Sequence, residues 1–172
     1  MVNRKFILIG LGANLDHPRY GGPRATLEAA LTRLEGPGLR ILARSRWYRS
    51  APVPASDQPW FVNGVAALDT TLQPAALLAR LHALEADFGR RRGRRNAART
   101  LDLDLLDYRG QVSPPGAQPE LPHPRLAGRA FVLLPLAEVA PGWRHPVSGL
   151  GLGALIPALP ADQQTELLEE VS

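Results

Sequence analysis

Asp102 and Asp104 lie two residues apart inside the apolar run Leu101, Leu103, Leu105 and Leu106. On a β-strand the side-chain period is two, so both carboxylates point to one face. Adjacent like charges in an apolar setting repel, and leaving them uncompensated is costly. A hard divalent cation with oxygen ligands supplies the compensation. Just ahead of the pair stand Arg90, Arg91, Arg92, Arg94, Arg95 and Arg99. The planar guanidinium binds phosphate oxygens in pairs. Paired aspartates beside an arginine stretch point to a metal–polyphosphate site.

Each feature also has a plainer reading. An isolated Asp-x-Asp is commonly a solvated face, and an arginine run is commonly a solvated loop. The apolar setting of the aspartates and the closeness of Arg99 favour chemistry, and Gly89 and Gly93 would let the stretch move over a polyphosphate. His123 sits between Pro122 and Pro124, which fix its backbone and suit it to present a side chain. Phe61 and Phe131 read as core residues by composition; the alternative is a sandwich around a flat heterocycle. Asn63 interrupts an apolar pattern, as a bulge, an edge position or a polar group that reads a ligand.

The supporting chain has 172 residues, enough for one domain with a real core, and residues 1–172 are taken as that domain. The formal net charge is +4, and Lys5 is the one lysine among 20 basic residues. This balance fits anionic nucleotides and also permits nucleic-acid binding. There are no cysteines, which excludes disulfides, zinc–thiolate sites and cysteine nucleophiles. The apolar run from Phe6 to Leu11 is too short for a signal or a membrane span, so a cytoplasmic protein without membrane association is expected.

Phe6 to Ile9 reads as a buried strand ending at a tight glycine turn, Gly10-Leu11-Gly12-Ala13-Asn14. The turn lacks GxGxxG and GK[ST], so it gives no dinucleotide or P-loop signature. Helices are predicted from Pro23 to Leu34 and from Pro74 to Phe88, each with apolar residues at helical spacing and proline in the first turn. Leu39 to Tyr48 alternates as one strand. Ser50 to Pro59 and Ser113 to Pro124 are proline-rich loops. Trp60 to Leu68 and the Asp102/Asp104 segment are strands. Arg125 to Val139 is mostly helical, with a break allowed at Pro135. A helix is expected within Leu150 to Leu159, with fraying expected in the tail from about 160 to 172. The order β-α-β-β-α-β with a helical C-terminal extension gives an α+β fold: a ferredoxin-like antiparallel sheet with helices on one face.

Taken together, these residues resemble the 6-hydroxymethyl-7,8-dihydropterin pyrophosphokinases of folate biosynthesis. The resemblance runs collinearly from Phe6 to Pro141. It is carried by Gly12-Ala13-Asn14-Leu15, Ser45 to Pro52, Asp57-Gln58-Pro59-Trp60-Phe61-Val62-Asn63, Arg95 to Leu106, Pro122-His123-Pro124-Arg125 and Gly128 to Leu136. It implies transfer of pyrophosphate from ATP to the pterin hydroxymethyl group, with release of AMP. It further implies that Asp102 and Asp104 hold two Mg²⁺ ions, with Asp102 also helping to deprotonate the hydroxyl. Phe61 and Phe131 would sandwich the pterin, and Asn63 would read its polar edge beside backbone groups of Ser50, Ala51 and Val53. Arg90, Arg92, Arg99, His123 and Arg129 would contact ATP phosphates or close the site, Arg90 and Arg99 being counted as catalytic. Glu85 and Leu105 would lie near the nucleoside. The implied partners are ATP and the dihydropterin, with a monomer and no nucleic acid.

The chain departs from the familiar bacterial pattern at Ala13, at Asn96 in place of tryptophan, at Ala97-Ala98, at Pro124 and in an arginine stretch about one residue shorter. Two other classes remain in view. A ferredoxin-like nucleic-acid module would use the arginines, but would carry Asp102 and Asp104 on its sheet. An Asp-x-Asp nucleotide-sugar transferase would need a strand–helix repeat that the sequence does not show.

Overall fold

The computed structural model describes residues 6–89 and 100–169. Its elements run β1 (Ile7–Ala13), α1 (Pro23–Leu34), β2 (Leu39–Arg44), β3 (Tyr48–Ser50), β4 (Phe61–Thr70), α2 (Pro74–Asp87), β5 (Asp102–Tyr108), α3 (Ala130–Val139), α4 (Leu152–Leu155) and β6 (Thr165–Leu167). A 3-10 turn at Leu126–Gly128 precedes α3.

The six strands form one sheet in the order β5-β1-β4-β3-β6, with β2 also on β4. All pairings are antiparallel. With β2 and β3 counted as one bent strand, this is the expected ferredoxin-like order, extended at one edge by β6. The two larger helices begin where the sequence predicts, each with proline in its first turn. There a missing N–H costs no intrahelical bond.

Alternation divides the sheet into two faces. Ile7, Ile9, Leu11, Leu103, Leu105, Ala66 and Leu68 pack with Leu27 and Leu31 of α1, Leu77 and Leu81 of α2, and Phe88 just beyond it. Leu8, Val65, Ala67 and Leu106 pack against Val132, Leu133 and Leu136 of α3 and Trp143 beyond it. The sheet is therefore covered on both faces, not on one. Counting only α1 and α2 left the Leu8–Val65–Ala67–Leu106 face without the apolar cover that α3 supplies. Pro135 lies inside α3 and does not interrupt it.

Three local expectations change. β1 does not stop at Gly10 but runs to Ala13, because β4 and β5 pair with it on both sides through Gly12. The predicted strand from Leu39 to Tyr48 is two strands. The β2–β4 register shifts between Ile41 and Ala43, and at Ser45 a side-chain oxygen takes the Val65 N–H at 3.0 Å. Within the predicted Leu150–Leu159 helix only Leu152–Leu155 is helical, and the tail beyond it adds strand β6.

Candidate active site

The candidate residues Asp102, Asp104 and Asn63 lie on the second face, the one that α3 covers. Leu103 and Leu105 point into the core shared with α1 and α2, which turns Asp102 and Asp104 to the opposite face. Both are half-buried. Opposite them on β1 lie Gly12, paired with Asp102, and Gly10, paired with Asp104. Gly12 is paired on its other side with Asn63 of β4. A row across three strands thus reads Asp102, Gly12, Asn63, with no side chain between the carboxylate and the amide.

Asn63 is buried at 5% exposure and donates from Nδ2 to Ser50 Oγ at 2.7 Å. It sits at a regular register position, so the interruption of the apolar pattern is neither a bulge nor an edge. Phe61 shares its face by alternation and is half-buried. Ala51 donates its N–H to Gln164 O at 3.0 Å, while Val53 is exposed in the following loop. That loop is anchored by Asn14, whose Nδ2 donates to Gln58 Oε1 and Pro59 O, each at 3.1 Å. Asn14 belongs to the glycine motif, but its part in holding the 51–60 loop is invisible without the fold.

Phe131 stands in the first turn of α3 and is half-buried. The Arg129 guanidinium lies 5.3 Å from the centre of its ring, a cation–π distance. His123 donates its backbone N–H to Leu106 O at 2.8 Å, which ties its loop to the outer edge of β5. Burial pushes the His123 imidazole below its usual value; the Arg129 charge adds to this and the Asp102 charge opposes it. His123 therefore sits within electrostatic reach of both. Its Nδ1 accepts the Arg125 N–H at 3.2 Å, which leaves the proton of the neutral ring on Nε2.

Glu85 and Leu105 belong to other surroundings. Leu105 is 3% exposed in the core under α1 and α2. Glu85 is also buried, and its Oε2 accepts the Leu103 N–H at 2.9 Å. Arg90, Arg92 and Arg99 lie outside the described residues. Their flanks are joined, since the Thr100 hydroxyl donates to Phe88 O at 3.0 Å.

Asp102 and Asp104 form an oxygen-only donor pair, the chemistry that suits Mg²⁺. No cluster of three or more histidine, aspartate or glutamate side chains that could hold a metal occurs among the described residues. A cation there would complete its shell with water and substrate oxygens, as Mg²⁺ at phosphate sites does. No helix among the described residues is long and apolar enough to cross a membrane.

A sheet that presents paired carboxylates beside phosphate-type donors and aromatic rings has the make-up of an ATP-dependent group-transfer enzyme. Residues 8–141 match the family model described as 7,8-dihydro-6-hydroxymethylpterin-pyrophosphokinase (HPPK), and the chain belongs to that family. It is 44% identical over 155 residues to the 2-amino-4-hydroxy-6-hydroxymethyldihydropteridine pyrophosphokinase of Pseudomonas aeruginosa, covering 90% of this chain and 91% of that one. The protein of the same name from Methylorubrum extorquens is 44% identical over 135 residues, 77% of this chain and 81% of its own. That from Synechocystis is 40% identical over 149 residues, 87% and 73% respectively.

Proposed function

We propose that this protein transfers the pyrophosphoryl group of ATP to the hydroxymethyl group of 6-hydroxymethyl-7,8-dihydropterin, a step of folate biosynthesis. The observation that carries the assignment to these residues is the row Asp102–Gly12–Asn63, which sets a carboxylate pair and an amide on one sheet face. The substrate hydroxyl oxygen bonds to the β-phosphorus of ATP, the bond from that phosphorus to the α-phosphate bridging oxygen breaks, and AMP departs. The hydroxyl gives up its proton, and Asp102 would help accept it.

Asp102 and Asp104 would hold Mg²⁺, as two ions, whose charge would offset that of the phosphate oxygens. The rest is positioning, which dominates in phosphoryl-type transfer. Phe61 and Phe131 stack the pterin. Asn63, held by Ser50, reads its polar edge alongside the backbone of Ser50, Ala51 and Val53. A neutral His123 offers Nε2–H to phosphate oxygen, and Arg129 adds charge beside it. Arg90, Arg92 and Arg99 bind phosphates and close the site, whereas Glu85, buried on α2, and Leu105, buried beneath α1 and α2, are left out of the nucleoside site. All these residues come from one chain, and the proposed enzyme acts as a cytoplasmic monomer without nucleic acid.

The test is direct. Protein supplied with ATP, Mg²⁺ and hydroxymethyl-dihydropterin should yield AMP in step with pyrophosphorylated pterin. Formation of ADP, or turnover independent of the pterin, overturns the proposal.

A further inference from the structure

The C-terminal segment touches both sides of the proposed pterin site. Gln163 Oε1 accepts the Ala130 N–H at 2.8 Å, and its Nε2 donates to Gly128 O at 2.7 Å. Those two backbone groups flank Arg129, and Phe131 follows at once. The first N–H groups of a helix have no partner within it, and no local side chain caps α3. A residue 33 positions away does so instead.

Immediately after Gln163 the chain turns onto the other wall. Gln164 O accepts the Ala51 N–H at 3.0 Å, and Thr165 pairs with Ser50, the hydroxyl partner of Asn63. Glu166 forms an ion pair with Arg49, whose guanidinium lies 4.9 Å from the centre of the Trp60 ring beside Phe61. Four consecutive residues thus connect the start of α3 to β3 and the 51–60 loop. None of them lies in the Asp102–Gly12–Asn63 row.

We propose that Gln163 is a positioning residue for the pterin, fixing the first turn of α3, and so Phe131, against the Ser50–Asn63–Phe61 wall. It rests on the reading of Phe61 and Phe131 as the pterin sandwich. The role needs an acceptor and a donor on one side chain, which an amide supplies and a carboxylate or an alkyl group does not. With either bond lost, binding must first order that turn, and the cost falls on pterin affinity.

The experiment is a steady-state comparison of wild type, Gln163→Leu, Gln163→Glu, Phe131→Ala, Phe61→Ala and the double variant Gln163→Leu/Phe131→Ala, with thermal melts of each. Gln163→Leu should raise the KM for the pterin about tenfold, as loss of two hydrogen bonds allows. The KM for ATP should rise less than that for the pterin, since Arg129 is one of several phosphate-binding groups, and the loss should appear in KM more than in kcat. Gln163→Glu, which keeps the acceptor, should fall between. In the Phe131→Ala background the Gln163→Leu effect should vanish, because residues acting through one another are not additive. A lower melting temperature with an unchanged pterin KM, or an equal effect in both backgrounds, overturns the proposal and leaves the sandwich standing. Unchanged pterin KM in both Phe61→Ala and Phe131→Ala overturns the sandwich, and this inference with it.

Discussion

A Cβ added to Gly12 would stand 3.0 Å from Asn63 Oδ1, the tightest approach on the proposed catalytic face. Asn63 cannot easily withdraw, since it is buried and its amide is engaged by Ser50. Gly12→Ala should therefore push Asn63 off its bond or intrude on the space between the amide and Asp102. The expected result is a rise in the KM for the pterin of about tenfold, with the KM for ATP little changed. Gly10→Ala is the control on the same strand: its Cβ would meet Leu106 side-chain carbons at 3.5 Å or more, ordinary contact. Equal effects of the two substitutions would count against Asn63 as the group that reads the pterin.

Asp102→Asn and Asp104→Asn preserve shape and remove charge. Each should lower pyrophosphoryl transfer on the order of a hundredfold or more, the scale of losing preorganised charge stabilisation. Far-UV circular dichroism should stay as in wild type, because both side chains are half-buried and neither is packed in either apolar cluster. Chelation of Mg²⁺ should abolish turnover of the wild type reversibly. A variant with full activity would remove that carboxylate from the metal site.

The larger helices and the face shared by Asp102 and Asp104 were legible because local pattern and tertiary structure agree there. Pro23 and Pro74 mark helix starts, and Leu101, Leu103 and Leu105 keep period two. Phe61, Asn63 and Phe131 stand out in the sequence through their motifs, and strand β4 sets Phe61 and Asn63 on one face. The glycines of β1 suggest a turn in isolation because glycine favours turns locally; pairing with β4 and β5 decides otherwise. Strand β6 has no apolar alternation, and its short Thr165–Leu167 run is held by the edge of β3. Gln163 gave no signal, because its partners lie more than thirty positions away.

Gly64 has a purely structural burden. Its added Cβ would fall 2.6 Å from Trp47 Cζ3 and 2.7 Å from Cε3. The ring cannot move aside: it is 5% exposed, its Nε1 donates to Glu28 at 2.8 Å, and Arg44 lies 5.1 Å from its centre. Gly64→Ala should destabilise the protein by about 1–3 kcal/mol, the cost of overpacking. Urea unfolding would show a lower midpoint with an unchanged slope. KM values of the folded fraction should remain near wild type, since Gly64 points to the face opposite Asn63. A stable variant would show that the backbone adjusts at this position.

Asp107 predicts how stability depends on pH. The β1–β5 register shifts between Leu8 and Ile9, and the bulge brings Asp107 to the α3 side of the sheet. There it is fully buried, accepting Trp143 Nε1–H at 2.7 Å and the Gly110 N–H at 2.8 Å. Burial pushes its carboxyl above the usual range; the two donors and the nearby His145 pull it down without cancelling that effect. A raised carboxyl means that the folded state holds a proton the unfolded state has released. Its stabilising contribution is therefore full below the unfolded value of 3.8 and is lost as pH rises through the folded value. Asp107→Asn keeps the shape but cannot titrate, so its stability offset is fixed. Urea unfolding of both proteins from about pH 4 to about pH 7 should show the wild type losing stability relative to the variant as pH rises. Trp143 emission offers a local probe of the same titration. A pH-independent difference between the two proteins would mean that Asp107 keeps its ordinary ionisation despite full burial.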